Sequence, residues 1–188
     1  MSAKRLYSFV NFYINSIGQG IQTQHVAAEL TNKYVYQHGH GRQESAKFLK
    51  DWSLHHKTTI VLNGGINSDL IELYNFLFIC DEEGHGLWFD QELVYLPFAN
   101  FHEDEASLGG IITAVGIVLP EEIYDAVPKR QAEQIAGEFV LNITQQPDEG
   151  QFYYFYVDDN GKRSYVTYTA DSQIGKFLKI LKSCPLAR

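Results

Sequence analysis

Leu6–Tyr34, LYSFVNFYINSIGQGIQTQHVAAELTNKY, changes its period once. Leu6–Ile14 is dense in aromatic and branched residues, the composition of a buried strand. Gly18 and Gly20 then predict a turn. From Ile21 the spacing becomes helical, with Thr23, Ala27, Leu30 and Tyr34 on one face. A strand that feeds a crossover helix is how an α/β fold opens.

The alternation continues down the chain. QHGHGRQ (37–43) interrupts the first helix, and Glu44–His56 predicts a second through Phe48, Leu49 and Trp52. TTIVL (58–62) reads as a strand ending in NGG (63–65). NSDLIELYNFLFI (67–79) reads as a helix with Asn67 or Ser68 as its N-cap. CDEEGHGLWFDQ (80–91) is a polar insert. LVYLPFANF (93–101) predicts one strand, with Pro97 marking an edge or a bulge. After the loop HEDEASLGG (102–110), IITAVGIVL (111–119) is the clearest buried strand, and Pro120 sits where a helix accepts proline.

Beyond Pro128 the character shifts. Gln131–Leu141 predicts a helix. QFYYFYVDDNGKRSYVTYT (151–169) predicts a hairpin around Asp159, Asn160 and Gly161, and Asp171–Leu181 a closing helix. The expected architecture is α/β: a mixed, mostly parallel sheet with helices on both faces over 1–127. A C-terminal helix–hairpin–helix extension over 128–188 packs on that core.

At 188 residues and 45% hydrophobic, the chain can bury one sizeable core. Its net charge of −8 disfavours broad contact with nucleic-acid backbones. Only Lys129–Gln131 and Lys176–Lys182 offer modest basic patches. Cys80 and Cys184 have no paired spacing, no leader peptide is legible, and no apolar run reaches the ~20 residues of a membrane helix. These features predict a cytoplasmic protein with free thiols, and neither membrane nor tRNA as its partner.

The wording of two segments resembles the type II peptidyl-tRNA hydrolases. In that family the first helix begins Lys-x-Ala-Ala-Gln-x-x-His-Ala. Here GIQTQHVAAEL (20–30) takes that place, with Gly20 at the lysine position, Gln24 at the glutamine and Ala27 at the histidine. The family's later Arg-Asp-Ala-Gly loop and Gly-x-x-Thr strand correspond to FANFHEDEASLGGIITAVGIVLPEEIYDAV (98–127), where Gly110 and Thr113 match. The resemblance covers Leu6 to Val127 in element order and implies a peptidyl-tRNA hydrolase-like fold. With the lysine gone and the loop acidic, it points away from cleavage of an ester on tRNA. The GIQ…H helix start and the F-x-E loop look like divergent bacteriophage-encoded relatives, which implies an anti-defence role.

A crossover helix after a first parallel strand starts at the carboxyl end of the sheet, where ligands settle. Its free N–H groups and dipole attract anions. Gly18 and Gly20 admit a close approach, and Gln22, Gln24 and His25 could read polar groups. A solvated first turn with Gln22, His25 and Glu29 on the outer face is the equal alternative. In Phe101–Glu105, His102 and Glu103 could form an acid–base pair, or Glu103 and Asp104 could bind ribose hydroxyls; an ordinary acidic loop is the stronger alternative. Thr113 could point a hydroxyl into the same cleft, although threonine also simply suits a strand. Asn63 begins a Gly-rich turn at that mouth which lacks the Lys-Ser/Thr of a phosphate loop. His38, His40, His55 and His56 lack zinc spacing, so neither metal nor cofactor is expected. Tyr153, Tyr154, Tyr156, Tyr165 and Tyr168 crowd the hairpin. Cross-strand packing is the first reading, and base stacking or a homodimer interface the second.

Three functions are consistent with these residues. The leading one is a non-catalytic protein that captures a nucleotide-type small molecule through Gly18, Gly20, Gln22, Gln24, His25, Asn63, His102, Glu103, Asp104 and Thr113. In a phage this would sequester a host immune nucleotide signal. The second is a divergent hydrolase, of peptidyl-tRNA or of a nucleotide signal, using His25, His102 and Glu103. The third is a protein–protein module built on the hairpin and residues 77–89.

Overall fold

In the computed structural model the described residues are 3–36, 42–82, 87–89, 92–94, 96–103, 109–146 and 150–187. They divide into two compact units, one within 1–87, 93–120 and 184–188 and the other within 88–92 and 121–183.

In the first unit, strand β1 (Lys4–Val10) stops well before Ile14. Asn11 turns the chain there: its side-chain oxygen accepts from Tyr13 N at 3.0 Å, and its carbonyl from Ile14 N at 3.2 Å. Helix α1 (Ser16–Thr31) begins soon after. Gly18 and Gly20 therefore lie inside the helix, which corrects the expected turn. The Asn15 side chain accepts from Gly18 N at 2.9 Å, satisfying one of the N–H groups a helix start leaves open. That cap and the packing of Gln19, Gln22, Thr23, Val26 and Leu30 offset the poor helix propensity of two glycines.

Two π-helical turns interrupt the crossover from β1 to the next strand. One, Asn32–Tyr36, ends α1. Helix α2 (Arg42–Asp51) ends in the other, Trp52–His56. The chain then runs through strand β2 (Thr58–Asn63), helix α3 (Asn67–Glu82) and strands β3 (Leu87–Phe89), β4 (Glu92–Val94), β5 (Phe98–His102) and β6 (Ile112–Pro120). The single strand expected over 93–101 is divided: β4 pairs with β3, and only β5 joins the main sheet. The α3 cap also differs from expectation. Asp69 Oδ2 accepts from Ile66 N at 2.8 Å, while the Asn67 side chain accepts from Ile112 N at 3.0 Å.

The main sheet has four strands in the order β2-β1-β6-β5. It is mixed, but not mostly parallel: β1–β2 is parallel, and β1–β6 and β5–β6 are antiparallel. The long crossover through α1 and α2 allows the parallel pair, whereas the loop from β5 to β6 is short enough to return the chain antiparallel. One face of the sheet packs Leu6, Val10, Ala114 and Val118 against Val26 and Leu30 of α1. Gly116 permits this closeness, because a Cβ there would lie 2.1 Å from Val26 Cγ1. On the opposite face, Phe9 meets Leu70 of α3 over Gly64.

Both edges of that sheet are covered, as exposed edges invite unwanted pairing. Tyr34 OH donates to Phe98 O and accepts from Phe98 N, both at 3.2 Å, on the outer side of β5. Along β2, Asn63 N donates to Pro185 O at 2.8 Å and Ala187 N to Val61 O at 3.0 Å.

The second unit contains helices α4 (Glu121–Tyr124), α5 (Lys129–Ile135), α6 (Val140–Thr144) and α7 (Gln173–Ser183). Its antiparallel sheet has the order β7 (Val127–Pro128), β8 (Phe152–Val157) and β9 (Arg163–Tyr168). The one helix expected over 131–141 is broken at Gly137, whose φ of 55° is left-handed. Tyr153 is fully buried against Ala132, Ala136 and Ile143, with Phe155 and Tyr165 beside it. The alternate face buries Phe152 and Tyr168 and stacks Tyr154 on Tyr156 at 8° between ring planes.

Candidate functional site

The site starts from one extra residue in β6. Phe101 pairs with Ala114 and His102 with Ile112, so Thr113 has no partner on β5. Such a bulge re-aims a side chain. Thr113 Oγ1 donates to Gln22 Oε1 at 2.8 Å, and Gln22 Nε2 donates to Glu103 Oε2 at 3.3 Å. Thr113 is 3% exposed and Gln22 8%, so a carboxamide from α1 is held under cover between a strand hydroxyl and a loop carboxylate.

A second hydrogen-bonded set lies beside it on the sheet-facing side of α1. Thr23 Oγ1 shares a 3.0 Å contact with Ser8 Oγ and donates to Gln19 O at 2.8 Å. Gln19 Nε2 donates to Ile14 O at 2.9 Å. The His25 ring meets Phe101 edge-on at 4.3 Å between centroids, and its Nδ1 is buried without a hydrogen-bond partner among the described residues.

His102 is fully engaged. Gly110 O, 3.0 Å from Nδ1, can only accept, so Nδ1 carries the proton and Nε2 accepts from Asn100 Nδ2 at 2.7 Å. Asn11 N donates to Thr113 O at 3.0 Å, and the next two residues, Phe12 and Tyr13, are 58% and 80% exposed. Ile17 and Ile21 of α1 are exposed as well.

The residues singled out from sequence thus separate. Gln22, Glu103 and Thr113 converge. His25 lies one turn beyond Gln22, against Phe101. Gln24 and Gly20 are exposed on α1, and Gly18 serves the Asn15 cap. The Asn63 side chain accepts from Gly65 N at 2.9 Å and so shapes the turn, in which Gly65 takes φ 82°. Asp104, His38 and His40 lie outside the described residues. Sequence reasoning missed Ser8, Thr23 as a polar residue, Asn11, Phe12 and Tyr13. A lone serine inside LYSFVNFYI was the available sign, since a polar residue there needs a partner.

Elsewhere among the described residues, Asp51, Lys182 and Tyr154 are shifted. Asp51 is held below the usual carboxylate range, chiefly by the hydrogen bond from Lys4 and despite partial burial. Burial lowers Lys182, which donates to Tyr124 O at 2.7 Å. Burial, with Glu121, Glu122 and Asp125 nearby, raises Tyr154. Among the described residues no group of three His, Cys, Asp or Glu could hold a metal ion, and no helix is long and apolar enough to cross a membrane.

Comparison with known proteins finds no matching family model and no matching curated protein.

Proposed function

We propose that the chain is a non-catalytic binding protein for a nucleotide-type small molecule, captured at the carboxyl end of β1. The observation that carries this reading is the Thr113–Gln22–Glu103 network, together with the exposed rings of Phe12 and Tyr13 that follow Asn11, whose N donates to Thr113 O. An exposed ring stacks on a base, worth about 1–3 kcal/mol per base. Glu103 accepts ribose hydroxyls, as carboxylates do at dinucleotide sites. The first turn of α1 presents backbone N–H groups to phosphate. Resemblance to the type II peptidyl-tRNA hydrolases in element order supports the scaffold, and Gly20 at the family's lysine position supports binding without cleavage. In a bacteriophage such a protein would sequester a host immune nucleotide signal.

Calorimetry with mononucleotides, cyclic nucleotides and ADP-ribose derivatives tests it. One member should bind, and Phe12→Ser with Tyr13→Ser should weaken it by roughly 5- to 150-fold while leaving the fold intact. No heat from any member, together with no small molecule released from the purified protein on heating, refutes the reading.

The unpartnered Nδ1 of His25 favours a second reading, a hydrolase with His25 as general base. His102 is a poorer base because both its ring nitrogens are engaged. Ligand recovered intact after denaturation decides for capture. Turnover abolished by His25→Gln decides for hydrolysis.

A further inference from the structure

A separate cavity of about 520 Å³ opens between the end of α1 and α2. Ligand pockets run from about 300 to 1,000 Å³, so this one is of small-molecule size. Its floor is Tyr34 and Leu49, 3% and 2% exposed. The Tyr34 hydroxyl is turned away onto Phe98, which leaves the floor apolar. Val35 and Ala46 form walls, and Lys47 and Lys50 stand at the rim.

Three features point to a ligand. Both π-helical turns of the unit contribute to the lining, Tyr34 and Val35 from the first and Ser53 from the second. Such turns are rare and frequent at functional sites. Val35, Tyr36 and Leu54 in the same two turns are exposed apolar residues. The charged lining residues are two lysines one turn apart, with no carboxylate among the described lining residues, in a chain of net charge −8. Lys47 pairs with Glu44 at 2.6 Å, but both are largely exposed, and a pair of that kind contributes little. An incoming anion can replace it.

We propose that this cavity binds a small amphiphile, with its apolar body on Tyr34 and Leu49 and one anionic head on Lys47 and Lys50. The apolar body is selected by the floor, and the head by two ammonium groups that a neutral molecule would leave unused. This site is independent of the one at the carboxyl end of β1.

The test is calorimetric titration of the full chain with dodecanoate, dodecyl phosphate and dodecan-1-ol, each below its micelle concentration. One molecule should bind per chain, with at least one anion about tenfold or more tighter than the alcohol. The carboxylate and phosphate arms identify the head. Lys47→Glu with Lys50→Glu should remove that preference, and Ser53→Trp at the mouth should block all three probes. Thermal unfolding checks that Ser53→Trp folds. If it does not, the charge reversal, at two exposed positions, still decides. Equal affinity for alcohol and anions, anion binding unchanged by the charge reversal, or no binding overturns the proposal. So does a molecular mass that rises with protein concentration and falls with Ser53→Trp, which would assign the groove to a second copy of the chain.

Discussion

Replacing Thr113 by valine removes one hydroxyl and little else. Thr113 is 3% exposed, and its Oγ1 is the donor to Gln22 Oε1 at 2.8 Å. Valine preserves the branched shape but leaves that carboxamide oxygen under cover without a donor. An orphaned buried acceptor costs about 1–3 kcal/mol. For a chain of this size that is about 2–4 °C in Tm per kcal/mol. Gln22→Met should cost a similar amount, because it orphans the Thr113 hydroxyl. The double variant removes both partners, and an apolar pair of similar shape is close to neutral. A thermodynamic cycle should therefore return a coupling of about 1 kcal/mol or more, beyond the few tenths expected of independent sites. Scanning calorimetry of the four proteins measures it, following the transition that shifts. Two results count against this: Thr113→Val costing the same in the parent as in the Gln22→Met background, or costing nothing in either. Either result would mean that the bulge does not aim Thr113 at Gln22, and the network at the base of the site would fall with it.

Other outcomes follow from the same packing and charge. Gly116→Ala places a methyl group 2.1 Å from Val26 Cγ1, so it should destabilise by about 1–3 kcal/mol, and Val26→Ala should recover part of that loss in urea denaturation. Asp51, with its folded pKa depressed by Lys4, contributes stability that is present above its ordinary value of 3.8 and is lost as pH falls through the lower folded value. Asp51→Asn should therefore destabilise at pH 7, and the gap to the parent should close on acidification; a gap constant from about pH 7 to about pH 2 refutes the Lys4–Asp51 assignment. His102→Asn should loosen the β5–β6 connection, read as faster exchange of the Glu103 amide, which donates to Ile111 O at 3.1 Å, because it breaks the ring's link between Asn100 and Gly110 O. Unchanged exchange would mean that the ring does not hold the loop.

Much of the layout was legible because period and composition report burial. The run expected as a strand over 111–119 is β6, buried at every residue from Ile112 to Pro120. Alternation of strands and helices announced a mixed α/β unit. What was not legible depended on partners far away in sequence. Strand direction is one case: nothing within IITAVGIVL says that it inserts antiparallel between β1 and β5. The start of α1 is another. Two glycines argue for a turn, and only the Asn15 cap and the burial of Gln19, Gln22 and Thr23 overrule them. The bulge at Thr113 is a third, since an unpaired residue is a property of two strands rather than one. Gln22 and Glu103 could be named as candidates, but their hydrogen bond joins residues far apart in the chain.

The polarity of α1 is graded along its length, and this explains its unusual opening. Its buried side runs from Gln19, Gln22 and Thr23 near the strand ends to Val26 and Leu30 deeper over the sheet. Apolar residues at the first three positions would bury more easily, because each polar group must find a partner or cost about 1–3 kcal/mol. Here each has one: Ile14 O, Thr113 and Glu103, and Ser8 with Gln19 O. A satisfied polar network fixes side-chain orientation more tightly than an apolar contact, at some cost in stability. Its effect is to clamp Gln22 and Glu103 in one geometry, while Phe12 and Tyr13, the two residues after Asn11, remain uncovered. Gln22 is therefore a positioning residue. Its loss should lower affinity through a more mobile Glu103 carboxylate, whereas loss of Phe12 should lower it without changing the network. If Gln22→Met left both ligand affinity and Tm unchanged, the grading would be a packing accident rather than the foundation of a site.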